Sequence, residues 1–222
     1  MTDYQATRDR VEHYFDRSAT RVWERLTSDA PVSRIRQTVR EGRDRMRATM
    51  LSRLPGDLRG ARVLDAGCGA GQMTAELAAR GAEVTAVDIS PALVEIARAR
   101  LPEAHARQVR FASGDMLADD LGRFDCVVAM DSMIYYSTLD IARALDRLGA
   151  RTAGAVVFTV APRTPFLMTF WGMGKLFPRS DRSPTMVPHA FDRLNRATGN
   201  RLSRVARISR GFYISECLEF RP

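Results

Sequence analysis

The chain has 222 residues, with 34 Lys plus Arg against 26 Asp plus Glu, a formal charge of +8 and 45% hydrophobic residues. That size suits one domain able to bury its apolar surface without disulfides, and the composition excludes a disordered or fibrous chain. The charge points to an anionic partner (an acidic small molecule, an acidic protein, a nucleic acid or an anionic membrane surface) without choosing among them.

In chain order, Met1 to Arg10 mixes both charges and lacks the apolar run of a secretory signal, so a cytoplasmic protein is expected. Residues 4–54 read as a helical arm, with a boundary near residue 55 and the main domain over 56–222. Val32, Ile35, Val39, Met46 and Met50 recur at steps of three, four and seven, giving an apolar stripe. Arg34, Arg36, Arg40, Arg43, Arg45 and Arg47 fill much of the remaining helix surface, as a solvated face or as a surface for an acidic partner. Pro55-Gly56 ends the arm.

From residue 61 strands and helices alternate. Strands are predicted at 62–65, 83–88, 109–112, 124–130 and 155–160, and helices at 72–80, 91–101 and 139–148. Ser90 and Pro91 supply the start signals of the second helix. This rhythm implies a parallel, doubly wound sheet. The stretch 162–190, rich in Pro, Gly, Met and aromatics, breaks the rhythm and reads as a cap over about 162–198. Its greasiest part, Phe166 to Phe177, contains Lys175 and is too short to span a bilayer, so any membrane contact would be peripheral. A short helix at 189–198 and strands at 202–208 and 212–220 follow. The two strands predict a closing hairpin that supplies an antiparallel edge strand. Cys68, Cys126 and Cys217 read as small buried residues, and His13, His105 and His189 are scattered, so no metal site is predicted.

The stretch Val63 to Gly71 carries the most chemistry. A buried strand runs into Asp65-Ala66-Gly67-Cys68-Gly69-Ala70-Gly71, and a helix follows. Gly67 and Gly69 would let the backbone approach a ligand closely. Asp88 ends the next strand, about 20 residues on, the distance expected for an acid that binds both hydroxyls of a ribose. An acid at 65, before the first glycine, would repel a pyrophosphate but suits an ammonium group.

This glycine loop resembles that of class I S-adenosyl-L-methionine-dependent methyltransferases. The resemblance extends through Gly114-Asp115-Met116 and Phe124 to Val128, covering about residues 61–160. It implies a Rossmann-like α/β fold with a mostly parallel seven-stranded sheet and an antiparallel last strand. It also implies a cofactor set of Asp65, Gly67, Gly69, Asp88, Ile89, Asp115, Met116 and Met130, with Asp115 near the adenine amino group.

A narrower resemblance is carried by Val11 to Asp16, Ile35-Arg36, Val39 to Arg43, Met130 to Tyr136, Ala161 to Pro165, Pro178 to Pro184 and Gly211 to Ser215. These segments resemble the magnesium-protoporphyrin IX O-methyltransferases of (bacterio)chlorophyll synthesis. The resemblance implies methyl transfer to a propionate of magnesium-protoporphyrin IX, with the porphyrin-binding subunit of magnesium chelatase as a further partner. Thr27 and Tyr135 depart from the Tyr and His of chlorophyll-making relatives; Tyr135 keeps a hydroxyl able to orient a substrate and is the catalytic candidate. For the flat, carboxylated acceptor, Arg163, Phe166, Phe170, Trp171 and His189 are the binding candidates. Ordinary cap packing is the competing expectation for them. Another small acceptor, a quinone precursor or small carboxylic acid, is the alternative. A nucleic-acid substrate is not expected, because no Asn-Pro-Pro-Tyr motif and no basic stripe interleaved with aromatics occurs.

Overall fold

The strands are short apolar runs whose successive residues serve opposite faces, and both faces are covered. Val63, Val128, Val157 and Cys217 pack on one side of the sheet, while Leu64, Val127, Phe158 and Leu218 pack on the other. The structure is a computed structural model, and it describes residues 3–16, 33–165, 167–168 and 184–222.

The elements are α1 (Asp3–Tyr14), α2 (Arg34–Leu51), β1 (Arg62–Ala66), α3 (Gln72–Ala79), β2 (Glu83–Asp88), α4 (Pro91–Arg100), β3 (Val109–Ser113), β4 (Cys126–Ala129), α5 (Thr138–Gly149), β5 (Val156–Val160), α6 (Phe191–Ala197), β6 (Leu202–Arg210) and β7 (Tyr213–Phe220). Local chemistry sets the helix starts. Ser33, Ser90 and Ser137 each cap a helix, accepting from Arg36 N, Leu93 N and Asp140 N respectively, and Pro91 occupies the first turn of α4.

The sheet runs β3-β2-β1-β4-β5-β7-β6. β1 to β5 pair in parallel, and β7 is antiparallel to both β5 and β6. The closing hairpin and the antiparallel last strand stand as expected: β7 lies inside the sheet, and its hairpin partner β6 forms the edge. The physical reason is burial: seven of the eight β7 residues are buried, whereas β6 exposes Ser203, Arg204, Arg207, Ser209 and Arg210. The one buried carboxylate that faces β6, Glu216, is paired with Arg204 and Arg207, each at 3.1 Å. Part of the arginine excess is thus internal charge balance.

Met46 and Met50 of α2 pack on the face holding Val157 and Tyr213, so this helix lies over the C-terminal hairpin. On the opposite face Ile141, Leu145 and Leu148 of α5 and Leu194 of α6 cover β4 and β5. Phe158, fully buried on β5 between β4 and β7, is central to that core. Truncating it to alanine is expected to cost about 3–5 kcal/mol, read as a lower urea midpoint with an unchanged slope.

Candidate functional site

The catalytic edge forms where the parallel strands end. After β1 the chain turns at Gly67, with φ 87, and its amide and that of Cys68 donate to Val87 O at 2.7 and 3.0 Å. This folds the loop onto the end of β2. Gly69 N then donates to Asp88 Oδ2 at 2.8 Å, and Ser90 N to Asp88 Oδ1 at 3.0 Å. Asp88 is 8% exposed, and burial raises its pKa while the amides of Ser90 and Gly69 oppose that rise. It is not the cap of α4, which is Ser90.

A cleft opens over this edge. Every predicted cofactor residue lines it: Asp65, Gly67, Gly69, Asp88, Ile89, Asp115, Met116 and Met130, together with Tyr135. Asp65 is 1% exposed and accepts from Thr74 Oγ1 at 2.6 Å. Burial pushes its carboxyl up to about 7, and the nearby Asp88 charge adds to the rise. A buried carboxylate without a cation partner among the described residues is suited to an ammonium group.

Asp115 lies at the other end of the cleft, and the arm reaches it. Tyr4 Oη donates to Asp115 Oδ1 at 2.7 Å, Arg8 Nη1 to Oδ2 at 3.3 Å, and Leu117 N to Oδ1 at 2.9 Å. The Tyr4 ring stacks on Tyr136 at 4.8 Å. Further along the arm, Ser90 Oγ donates to Asp16 at 2.6 Å, and Phe15 meets the Tyr135 ring edge-on at 6.5 Å. The arm thus closes one side of the cleft.

The glycine-loop end carries an ion pair that local sequence does not reveal. Arg43 Nη1 meets Asp131 Oδ2 at 2.6 Å, and Tyr213 Oη and Thr159 Oγ1 donate to Asp131 Oδ1, both at 3.2 Å. Asp131 holds φ 56, a left-handed conformation uncommon for a side-chain-bearing residue, and its amide donates to Thr159 Oγ1 at 2.8 Å. Arg43 and Arg47 both line the cleft, so part of the arginine face of α2 is turned toward the site. Tyr4, Arg8, Arg43, Asp131 and Tyr213 were absent from the sequence-derived set.

Arg163 and His189 lie together, but in a second pocket, with Ser137, Thr138 and Arg193. A parallel bridge between Pro162 and His189 joins their segments, and Arg163 N donates to His189 O at 2.8 Å. His189 is 3% exposed, and Nδ1 lies 3.2 Å from Thr138 Oγ1. Burial pulls its pKa down to about 4, so the ring is neutral near pH 7. Phe166, Phe170 and Trp171, with Thr27, lie outside the described residues. No group of three or more metal-ligating side chains occurs among the described residues.

A family model described as the magnesium-protoporphyrin IX methyltransferase C-terminus matches residues 129–222, and a methyltransferase-domain model matches 63–152. The chain is 64% identical over 222 residues to the magnesium-protoporphyrin O-methyltransferase of Rhodobacter capsulatus, covering 100% of this chain and 99% of the relative. It superposes on the crystal structure of magnesium protoporphyrin IX methyltransferase from Synechocystis PCC 6803 with bound SAH at a TM-score of 0.80 and 29% identity, covering 96% of this chain and 99% of that one. A ubiquinone biosynthesis O-methyltransferase of Xanthomonas oryzae pv. oryzae is 37% identical over 131 residues, which is 55% of this chain and 54% of the relative.

Proposed function

The chain belongs to the magnesium-protoporphyrin O-methyltransferase family, and from that premise we propose that it transfers a methyl group from S-adenosyl-L-methionine to a propionate carboxylate of magnesium-protoporphyrin IX, giving the monomethyl ester. The observation that carries this reading is the convergence of three acids on one cleft: Asp65, Asp88 and Asp115 line it in the order that suits an ammonium, a ribose and an adenine amino group. When bound, the cofactor supplies a methyl group already activated on a sulfonium.

The residues fit that molecule. Gly69 leaves open space where a side chain would project. Asp88 presents its remaining lone pairs to ribose hydroxyls, and Asp65 meets the ammonium. Arg43, fixed by Asp131, faces the carboxylate of the methionine moiety. Asp115 keeps acceptor capacity beside Tyr4 and Arg8. Tyr135, in the wall of the cleft, orients the acceptor.

No strong base is required of the protein. A propionic acid has a pKa near about 4 and is ionised at neutral pH. The protein's work is orientation and exclusion of water: α1 closes one side, and Arg163 and His189, together in the second pocket, suit a carboxylate arm of the acceptor. The basic face of α2 also suits delivery of the acceptor by the porphyrin-binding subunit of magnesium chelatase.

Three outcomes follow from these roles. Protein incubated with methyl-labelled cofactor should label magnesium-protoporphyrin IX; transfer to a quinone precursor with none to the porphyrin would replace this acceptor. Cofactor affinity should rise with pH through about 7, because ammonium binding requires ionised Asp65. Below that pKa the carboxyl must lose a proton on binding, so affinity falls about tenfold for each pH unit lower, and above it the rise stops and reverses once the ligand's own ammonium, with a pKa of about 8, loses its proton. Calorimetry across this range checks it, and Asp65→Asn should remove the dependence along with most of the affinity. Tyr135→Phe should slow turnover about tenfold, on the scale of one hydrogen bond, while weakening cofactor binding much less; equal wild-type and variant rates would remove Tyr135 from the reaction.

A further inference from the structure

One stretch of chain serves two pockets. Tyr135 and Tyr136 line the cleft of the three acids, and the next two residues, Ser137 and Thr138, line the pocket of Arg163, His189 and Arg193. The pocket's other wall is tied into the same region: Val187 N donates to Ile134 O and His189 N to Ala161 O, both at 2.8 Å. Three steps of extended chain span at most about 11 Å, so Tyr135 and Thr138 stand within that distance of each other.

The pocket has the chemistry of an anion site. His189 is 3% exposed, its Nδ1 lies 3.2 Å from Thr138 Oγ1, and its Nε2 has no hydrogen-bond partner. Burial keeps the ring neutral near pH 7, opposed by the Tyr136 carbonyl and aided by the nearby Arg193 charge. With the Thr138 hydroxyl donating to Nδ1, the ring proton sits on Nε2, a buried donor that lacks an acceptor. Such a group is costly until a ligand meets it. Arg163 and Arg193, both exposed, line the same pocket, and neither is paired with a carboxylate among the described residues.

Apolar side chains flank it. Leu139, 61% exposed, follows Thr138, and Met186, 44% exposed, precedes Val187, while Met168 lines the pocket itself. Guanidiniums beside exposed aliphatic groups match a ligand that carries a carboxylate on an apolar body. An inorganic anion would make no use of the apolar groups.

We propose that this pocket receives the second, unreacted carboxylate of the porphyrin while the first is methylated, and that this grip restricts the product to a single ester. The inference rests on the methyl-transfer reading above. Both propionates are ionised before reaction, so one can enter the cleft while the other enters the pocket. A second transfer requires the acceptor to exchange its arms, which brings the new methyl ester to the pocket. An ester offers Arg163 and Arg193 no charge and accepts weaker hydrogen bonds than a carboxylate. The monoester is therefore held for reaction about tenfold or more weakly than the diacid.

Competition between two acceptors tests it, with magnesium-protoporphyrin IX and its monomethyl ester as probes and methyl-labelled cofactor in excess. The parent should favour the diacid about tenfold or more in kcat/KM. Arg163→Gln with Arg193→Gln should raise the KM for the diacid about tenfold, change the monoester little, and so let diester accumulate. Both replaced side chains are exposed, and unchanged thermal melting and cofactor affinity establish that the variant is folded. Equal discrimination by parent and variant would overturn the proposal while leaving the porphyrin as the acceptor. So would a parent that esterifies the monoester as fast as the diacid. A parent that labels neither probe would reject the acceptor itself, and the pocket's role with it.

Discussion

Asp88→Ala is expected to lower S-adenosylmethionine affinity by about a hundredfold or more, because two hydrogen bonds to a charged group are worth about 1.5–3 kcal/mol each. The carboxylate also accepts from Gly69 N and Ser90 N, so it shapes the loop as well as facing the ligand. Asp88→Asn separates these parts. It keeps the size and one acceptor, and should leave the fold nearer to the parent while still losing most affinity. Calorimetry for binding and thermal melting for the fold read the two effects apart; wild-type affinity in both variants would remove Asp88 from the cofactor site.

Gly67→Ala is expected to fail for a different reason from Gly69→Ala. At Gly67, with φ 87, a Cβ would fall 2.3 Å from the Ser132 Cβ, and Ser132 is held by a 2.7 Å bond from its hydroxyl to Ala66 O. The alanine variant therefore combines left-handed strain with a steric overlap that only a shift of the chain after β4 can relieve. A loss of about 2–4 kcal/mol is expected, seen as a lower denaturation midpoint before any ligand is added. Gly69, with φ 53, has no neighbour within 4 Å of an added Cβ. Its alanine variant should lose only about 1–2 kcal/mol of stability and instead block the cleft. A Gly69→Ala protein with full cofactor affinity would contradict the placement of the ligand against this loop.

The difference between these glycines was not legible in the sequence, where both belong to one motif. What was legible is local. The Ser90-Pro91 start, the buried strand before the loop, and Asp88 at the end of β2 depend on neighbouring residues, and they stand where the sequence placed them. What was not legible depends on contacts between distant segments. Arg43 and Asp131 are 88 residues apart, and Tyr4 and Asp115 are 111 apart, so neither pairing leaves a local signature. The sheet edge is intermediate. The closing hairpin was legible, but which of its strands forms the edge depends on burial: Glu216 and Glu219 of β7 are buried against arginines, and the exposed arginines of β6 mark the edge. The arginine-rich face of α2 likewise divides: Arg43 and Arg47 stand at the cleft, while Arg34, Arg36 and Arg45 are exposed.

The most direct test is a crystal of this protein grown with S-adenosylhomocysteine. The expected map shows the nucleoside across the ends of β1 and β2, both ribose hydroxyls within hydrogen-bond distance of Asp88, the amino group toward Asp65 and the adenine toward Asp115. Density seated in the Arg163–His189 cavity, or a ribose that makes no contact with Asp88, would contradict it.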